Sequence, residues 1–277
     1  MRCQGSRFGP ATYREVASSA MAVSGPARPP EPTTVTARTV FSALGDGNRV
    51  GAVARRLAEA IRVGLLEDGA RLPNETDLAG QLGVAPATLR DSLALLREGG
   101  LVETRRGRGG GTFVRCPPEQ SVVRLRAALD GWSPQALRDL GDHREAIAGA
   151  AARLAAERSL ESDLRPLREQ HARLLDAATL GERRRADARF HLEIAAASQS
   201  ARLTEEEMRL WGEVADLAWL PFDDDDLARV VVEHREILRA IEEHRGELAA
   251  RRAEAHVRTE MRRLLGMRLR NRGARVG

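Results

Sequence analysis

The sequence predicts a mainly α-helical chain in two parts. A small N-terminal unit has three helices closed by a β-hairpin, and a larger C-terminal unit is an antiparallel all-α bundle of about six helices. Three observations lead there. The chain has 277 residues, a length that suits two domains at roughly 100–200 residues each. A glycine-tipped segment, Arg105–Gly111, sits between two short apolar runs at 101–104 and 112–114. From Ser133 to about Leu269 the sequence is rich in Ala, Leu, Arg and Glu, broken near 159–162, 181, 199–200, 220–226 and 246.

Residues 1–48 are Gly-, Pro-, Ser- and Thr-rich without sustained periodicity, and are expected to be a disordered tail. Val53, Leu57, Ala60, Ile61 and Leu65 then recur at helical spacing, predicting an amphipathic helix that ends near Glu67-Asp68-Gly69. Asn74 is suited to cap a second, short helix that stops at Gly83, with Asp77 complementing its exposed amides. Pro86 fits the first position of a third helix, which runs to Gly99-Gly100. Two short strands around the Arg-Gly tip complete residues 49–115 as a winged helix-turn-helix. Cys116-Pro117-Pro118 marks a boundary and 116–133 a linker, because Pro-Pro stiffens the chain and blocks helix continuation. Ser133-Pro134 restarts helix with a cap and a first-turn proline. The bundle spans 134–268, and 269–277 is a C-terminal tail.

Composition removes several function classes. All 44 basic residues are arginine, so there is no lysine for a pyridoxal Schiff base or for the phosphate-binding loop of P-loop enzymes. No G-x-S-x-G elbow is present. Two cysteines cannot build a disulfide framework, no apolar run is long enough to span a membrane, and the broken N-terminus does not read as a signal peptide. The expected setting is therefore the cytoplasm, without a membrane partner. Every cation is a guanidinium, which holds its charge and grips phosphate or carboxylate bidentately.

In a helix-turn-helix the second helix of the pair enters the major groove with its first residues at base edges. That places Thr88 and Arg90 near the bases and Thr76 at the preceding helix start. The wing, Arg105, Arg106, Arg108 and Gly109, then lies along the sugar-phosphate wall. Residues 53–114 resemble the DNA-binding domain of the GntR family of bacterial transcription regulators. The likeness rests on Gly69 with Leu72-Pro73, Glu75, Leu82-Gly83-Val84, Arg90, Gly99-Gly100-Leu101-Val102 and Gly109–Val114. It implies a homodimer on double-stranded, palindromic operator DNA. Two departures, Thr76 where the family usually has arginine and Ala85-Pro86 where it has Ser-Arg, imply an altered operator preference.

In the bundle, Asp187 and His191 are four residues apart and share one helix face, while His234 and His256 stand in later helices. Three imidazoles and one carboxylate facing inward suit a divalent ion such as Zn, Ni or Mn, with coordination positions left open. Residues 134–267 resemble the FCD ligand-binding domain that accompanies one large GntR branch, through Asp187 with Phe190-His191, Glu233-His234 and His256. The resemblance implies that these four residues hold the metal and that a small organic acid binds against it, helped by Arg144 and Ser200. Ala148 and Ser200 replace residues usual near that pocket. The resulting expectation is a metabolite-responsive repressor, not an enzyme. A metalloenzyme fused to a DNA module, or a purely structural metal, is the alternative. His143, His171 and His244 are expected to be solvated, the three tryptophans to be packing, and the acidic run 223–226 to be a helix start.

Overall fold

The computed structural model describes residues 40–41, 49–116, 122–215, 217–220 and 223–273. Helices α1 (Arg49–Arg62), α2 (Glu75–Leu82) and α3 (Pro86–Glu98) precede β1 (Val102–Arg105) and β2 (Gly111–Val114). The strands pair antiparallel, Val102 opposite Val114 and Arg105 opposite Gly111, and Arg71 bridges to Phe113 on the outer side. This is the expected winged helix-turn-helix. Asn74 caps α2 by accepting from the Asp77 amide at 2.9 Å, and Gly83 ends it in the left-handed conformation. Leu57, Ile61, Leu78, Leu82, Leu89 and Leu93 fill the core that these helices share.

Helix α1 stops at Arg62, short of the expected end near 67–69. The reason is Gly64, whose φ of +73° turns the chain out of the helix.

The second unit comprises α4 (Val122–Asp130), α5 (Pro134–Arg158), α6 (Glu161–Asp176), α7 (Leu180–Ala197), α8 (Ala201–Val214), α9 (Asp224–Glu242) and α10 (Gly246–Gly273). The long helices α5 and α10 pack along one another, and α7 lies between α5, α6 and α8. Starts follow side-chain chemistry: Ser133 caps α5, Thr179 and Glu182 form a reciprocal box at α7, and Asp223 with Asp226 does the same at α9. The acidic run 223–226 is thus a helix start, as expected.

Three boundaries differ from the sequence reading. The expected linker 116–133 contains helix α4, whose Leu125 and Leu129 are buried. Helix α10 continues through Gly273, into the segment taken as a tail, because Arg268 and Asn271 reach back to Trp132 and Asp130. Val40 and Phe41 are buried in the core rather than part of a featureless tail; the other residues of 1–48 lie outside the described set. Among the described residues no helix is long and apolar enough to cross a membrane.

Candidate metal centre and DNA-facing surface

Three helices bring the four expected groups together. Asp187 and His191 come from α7, His234 from α9 and His256 from α10, all of them buried. Their ligand-capable atoms lie within 4.8 Å of one another. Asp187 Oδ1 is 3.1 Å from His234 Nε2 and 3.8 Å from His191 Nε2, and His234 Nε2 is 3.3 Å from His256 Nε2. Bonds of about 2.0–2.2 Å to one cation bring ligand atoms to separations of this size.

Asp187 Oδ1 and His191 Nε2 are buried without a hydrogen-bond partner. Such atoms are costly in an apolar core unless something satisfies them. The donor set therefore fits a divalent cation. Its other atoms are oriented by neighbours: Trp219 Nε1 donates to Asp187 Oδ2 at 2.9 Å, His256 Nδ1 faces Glu233 Oε2 at 2.7 Å, and Phe190 stacks on His234 at 4.0 Å. The contact to Glu233 turns His256 Nε2 toward the centre.

Burial sets the electrostatics. It holds His191 and His234 well below the ordinary histidine value, in the neutral form that a metal needs, and it raises Asp187. Burial opposes charge on His256 too, but the Glu233 contact and the nearby Glu260 and Asp187 outweigh it and raise that ring.

Several wall residues were not legible as such. Glu260 follows His256 by one helical turn, is buried, and accepts from Arg144 Nη2 at 3.3 Å. Glu207 accepts from Trp211 Nε1 at 3.0 Å, and desolvation pushes its carboxyl up to about 7. Trp211 lies 5.3 Å from the His191 ring and under the Arg144 guanidinium at 4.5 Å. Trp211 and Trp219 thus pack as expected and also orient carboxylates. The i,i+4 spacings of His256 with Glu260 and of Glu207 with Trp211 were the available signals.

Two expected effector contacts have prior commitments. Arg144 is buried against Glu260 and Trp211, and Ser200 caps α8 by accepting from the Leu203 amide at 3.4 Å. The other histidines are not simply solvated. His143 pairs with Glu206 at 3.2 Å, His244 Nδ1 meets Ala156 O at 2.9 Å, and His171 is half-buried with Nδ1 closed off.

On the first unit, Thr76, Arg90, Arg106, Arg108 and Gly109 are exposed, and Thr88 is half-buried at the start of α3. Arg90 lies 3.8 Å from Glu75, and both side chains remain largely exposed. Arg105 is more occupied, donating to Glu103 at 2.6 Å and lying 4.3 Å over the Phe113 ring. Positive φ at Gly107 and Gly109 shapes the tip.

Comparison with known proteins finds one family in each unit. Residues 49–114 match the gntR family of bacterial regulatory proteins, and residues 139–259 match the FCD domain. A Mycobacterium gastri protein named as the HTH-type transcriptional regulator RmpR is 40% identical over 233 residues, 83% of this chain and 85% of that one. A protein of Escherichia coli K12 named for regulation of the L-lactate dehydrogenase operon is 38% identical over 156 residues, 53% of this chain and 58% of that one. The Glc operon transcriptional activator of the same strain is 29% identical over 229 residues, 75% of this chain and 85% of that one. Relatives of this kind are transcription regulators and not enzymes, and the first of them follows both units of the chain at once. With a wing and helix pair at one end and an all-helical domain at the other, this chain belongs to the gntR family of bacterial regulatory proteins, in the branch that carries an FCD domain.

Proposed function

We propose that this chain is a cytoplasmic, metabolite-responsive repressor that binds a palindromic operator as a homodimer. Asp187, His191, His234 and His256 hold one divalent cation, zinc, nickel or manganese, and a small organic acid completes its coordination. The observation that carries this reading is the convergence of four buried donor groups, among them Asp187 Oδ1 and His191 Nε2 without a hydrogen-bond partner. When bound, the cation supplies a fixed double charge and open positions for ligand oxygen. The effector then changes DNA affinity by the difference in its affinity for two arrangements of the protein. On the DNA side, α3 supplies Thr88 and Arg90 to base edges, Thr76 stands at the start of α2, and the wing supplies Arg105, Arg106, Arg108 and Gly109 to the backbone.

The test has three measurements on the full chain. Elemental analysis of protein purified without chelator is expected to give about one divalent ion per chain, a stoichiometry set by the single four-ligand site. Binding to the DNA upstream of its own gene is expected to exceed binding to random DNA at physiological salt. A panel of small organic acids is then scored for release of that DNA. Binding no better than to random DNA, or DNA affinity that no acid alters with metal present, overturns the reading.

A further inference from the structure

Helix α10 carries a one-sided run of positive charge. Residues 261–277 contain six arginines and no acidic residue. Thr259, Arg262, Arg263, Gly266 and Arg270 line a cleft of about 460 Å³, and among the described residues no carboxylate lines it. That volume suits a small molecule. Helical spacing explains the grouping, because residues three, four or seven apart share one face. The helix dipole does not account for it. The dipole favours cations in the last turn, whereas Arg262 and Arg263 stand about three turns before the end at Gly273.

The side chains around the cleft are held in different ways. Arg263 pairs with Asp226, the acid that closes the cap of α9. Arg270 folds back over Gly266, with its Nη1 3.3 Å from where a Cβ on that glycine would stand. Side chains on a helix lean toward its N-terminus, and this one brings its guanidinium to within about one turn, ~5.4 Å along the axis, of Arg262. Thr259 spends its hydroxyl proton on the Ala255 carbonyl at 2.8 Å, so the donors left to the cleft are guanidinium N–H groups. Arg262 and Arg270 are exposed and face each other across the glycine without a carboxylate between them. Two like charges so placed repel unless an anion comes between them.

We infer that this face of α10 is a second ligand site of the helical unit, taking the phosphoryl group of a small phosphorylated molecule between Arg262 and Arg270. A phosphoryl group carries close to two negative charges and three acceptor oxygens, which matches two guanidinium forks. A carboxylate, with one charge and two oxygens, satisfies only one of them. Gly266 keeps the floor of the cleft open where any side chain would crowd Arg270. The site shares no residue with the metal centre, so it stands apart from the acid-effector reading given above.

The experiment is calorimetric titration of the full-length protein with glycerol phosphate at physiological salt, with glycerol as the uncharged control. Glycerol phosphate is expected to bind and glycerol is not. Arg262→Ala and Arg270→Ala are each expected to weaken binding about ten-fold or more, the effect of losing charge-assisted hydrogen bonds. Gly266→Ala favours the helix, yet its methyl displaces Arg270. It is expected to weaken binding while the thermal midpoint holds or rises, a combination that a purely structural role does not give. His191→Ala, and a variant with both Arg106→Ala and Arg108→Ala, are expected to bind glycerol phosphate as the wild type does. Loss of binding in His191→Ala places the phosphoryl group at the metal centre, loss in the double wing variant places it on the DNA-facing surface, and either overturns the inference. No binding by the wild type, or binding that Arg262→Ala and Arg270→Ala leave unchanged, also overturns it. So does a smaller salt dependence of DNA binding in Arg262→Ala, which assigns these arginines to the DNA backbone instead.

Discussion

Arg189 donates from Nη1 to the carbonyl of Gly64 at 3.0 Å, joining the second unit to the end of the first helix of the first. Arg189 lies on α7 between Asp187 and His191, which face the opposite way into the metal centre. Its other arm reaches Glu193 at 3.2 Å, and the Arg185 stem covers Gly64 so closely that a Cβ there meets it at 3.2 Å. Helix α8 adds an ion pair from Glu205 to Arg56 at 3.0 Å. One helix thus carries two candidate ligands on one face and the grip on the DNA unit on the other.

That contact is expected to be local and separable from the metal. Arg189→Ala is expected to increase protease cleavage between the two units, with zinc binding intact. Gly64→Ala is expected to act more strongly, costing about 1–2 kcal/mol for the left-handed backbone before the clash with Arg185 is counted. Equal cleavage rates in wild type and both variants would show that the contact does not hold the units together.

The proposed metal centre is expected to depend on its outer partners as well as its ligands. Glu233→Gln weakens the support of His256 and is expected to lower zinc affinity by about ten- to a hundred-fold, whereas His191→Ala is expected to abolish stoichiometric binding. Competition against a chromophoric chelator measures both. An unchanged zinc constant in Glu233→Gln would falsify the orienting role.

A pH effect is expected at the junction of the units. Glu59 on α1 is buried, and Gly212 of α8 is small enough to accept it: a Cβ at that position would lie 2.5 Å from Glu59 Cγ. Desolvation outweighs Arg55 and Arg209 and raises this carboxyl from its ordinary 4.5 to about 7. The folded state therefore prefers the neutral form, so its contribution is full below the ordinary value and disappears as pH rises to about 7. Glu59→Gln is expected to raise the thermal midpoint at pH 8, corresponding to about 1–3 kcal/mol, and to change it little at pH 4. A gain of the same size at both pH values would contradict the assignment.

The wing arginines are expected to differ. Arg106 and Arg108 stand free at the tip, so alanine at either should reduce the salt dependence of DNA binding by about one ion each. Arg105 is already held by Glu103 and Phe113, and Arg105→Ala is expected to have the smaller effect on that slope. Arg90→Ala is expected to relax base preference by about 1–3 kcal/mol. DNA titrations at several salt concentrations, on operator and scrambled sequence, distinguish the two behaviours.

The sequence by itself determined the order of elements in the first unit, the caps at Asn74 and Ser133, and, with the family resemblance, the four candidate ligands. Asn74, Ser133 and Asp223 act on amides three residues away, and such local bonds need no knowledge of the rest of the chain. Asp187 and His191 were legible as a pair for the same reason, since one helical turn fixes their common face. Tertiary structure alone decided what surrounds them. Local spacing pairs Glu207 with Trp211 on α8 and His256 with Glu260 on α10, but only the packed chain brings Arg144 of α5 against both Trp211 and Glu260. The early end of α1 was hidden as well, because Gly64 is held by an arginine 125 positions away. Burial completed the chemistry: removing water makes each unpaired oxygen or nitrogen at the centre a demand for a partner, and burial is a property of the packed chain, not of the residue.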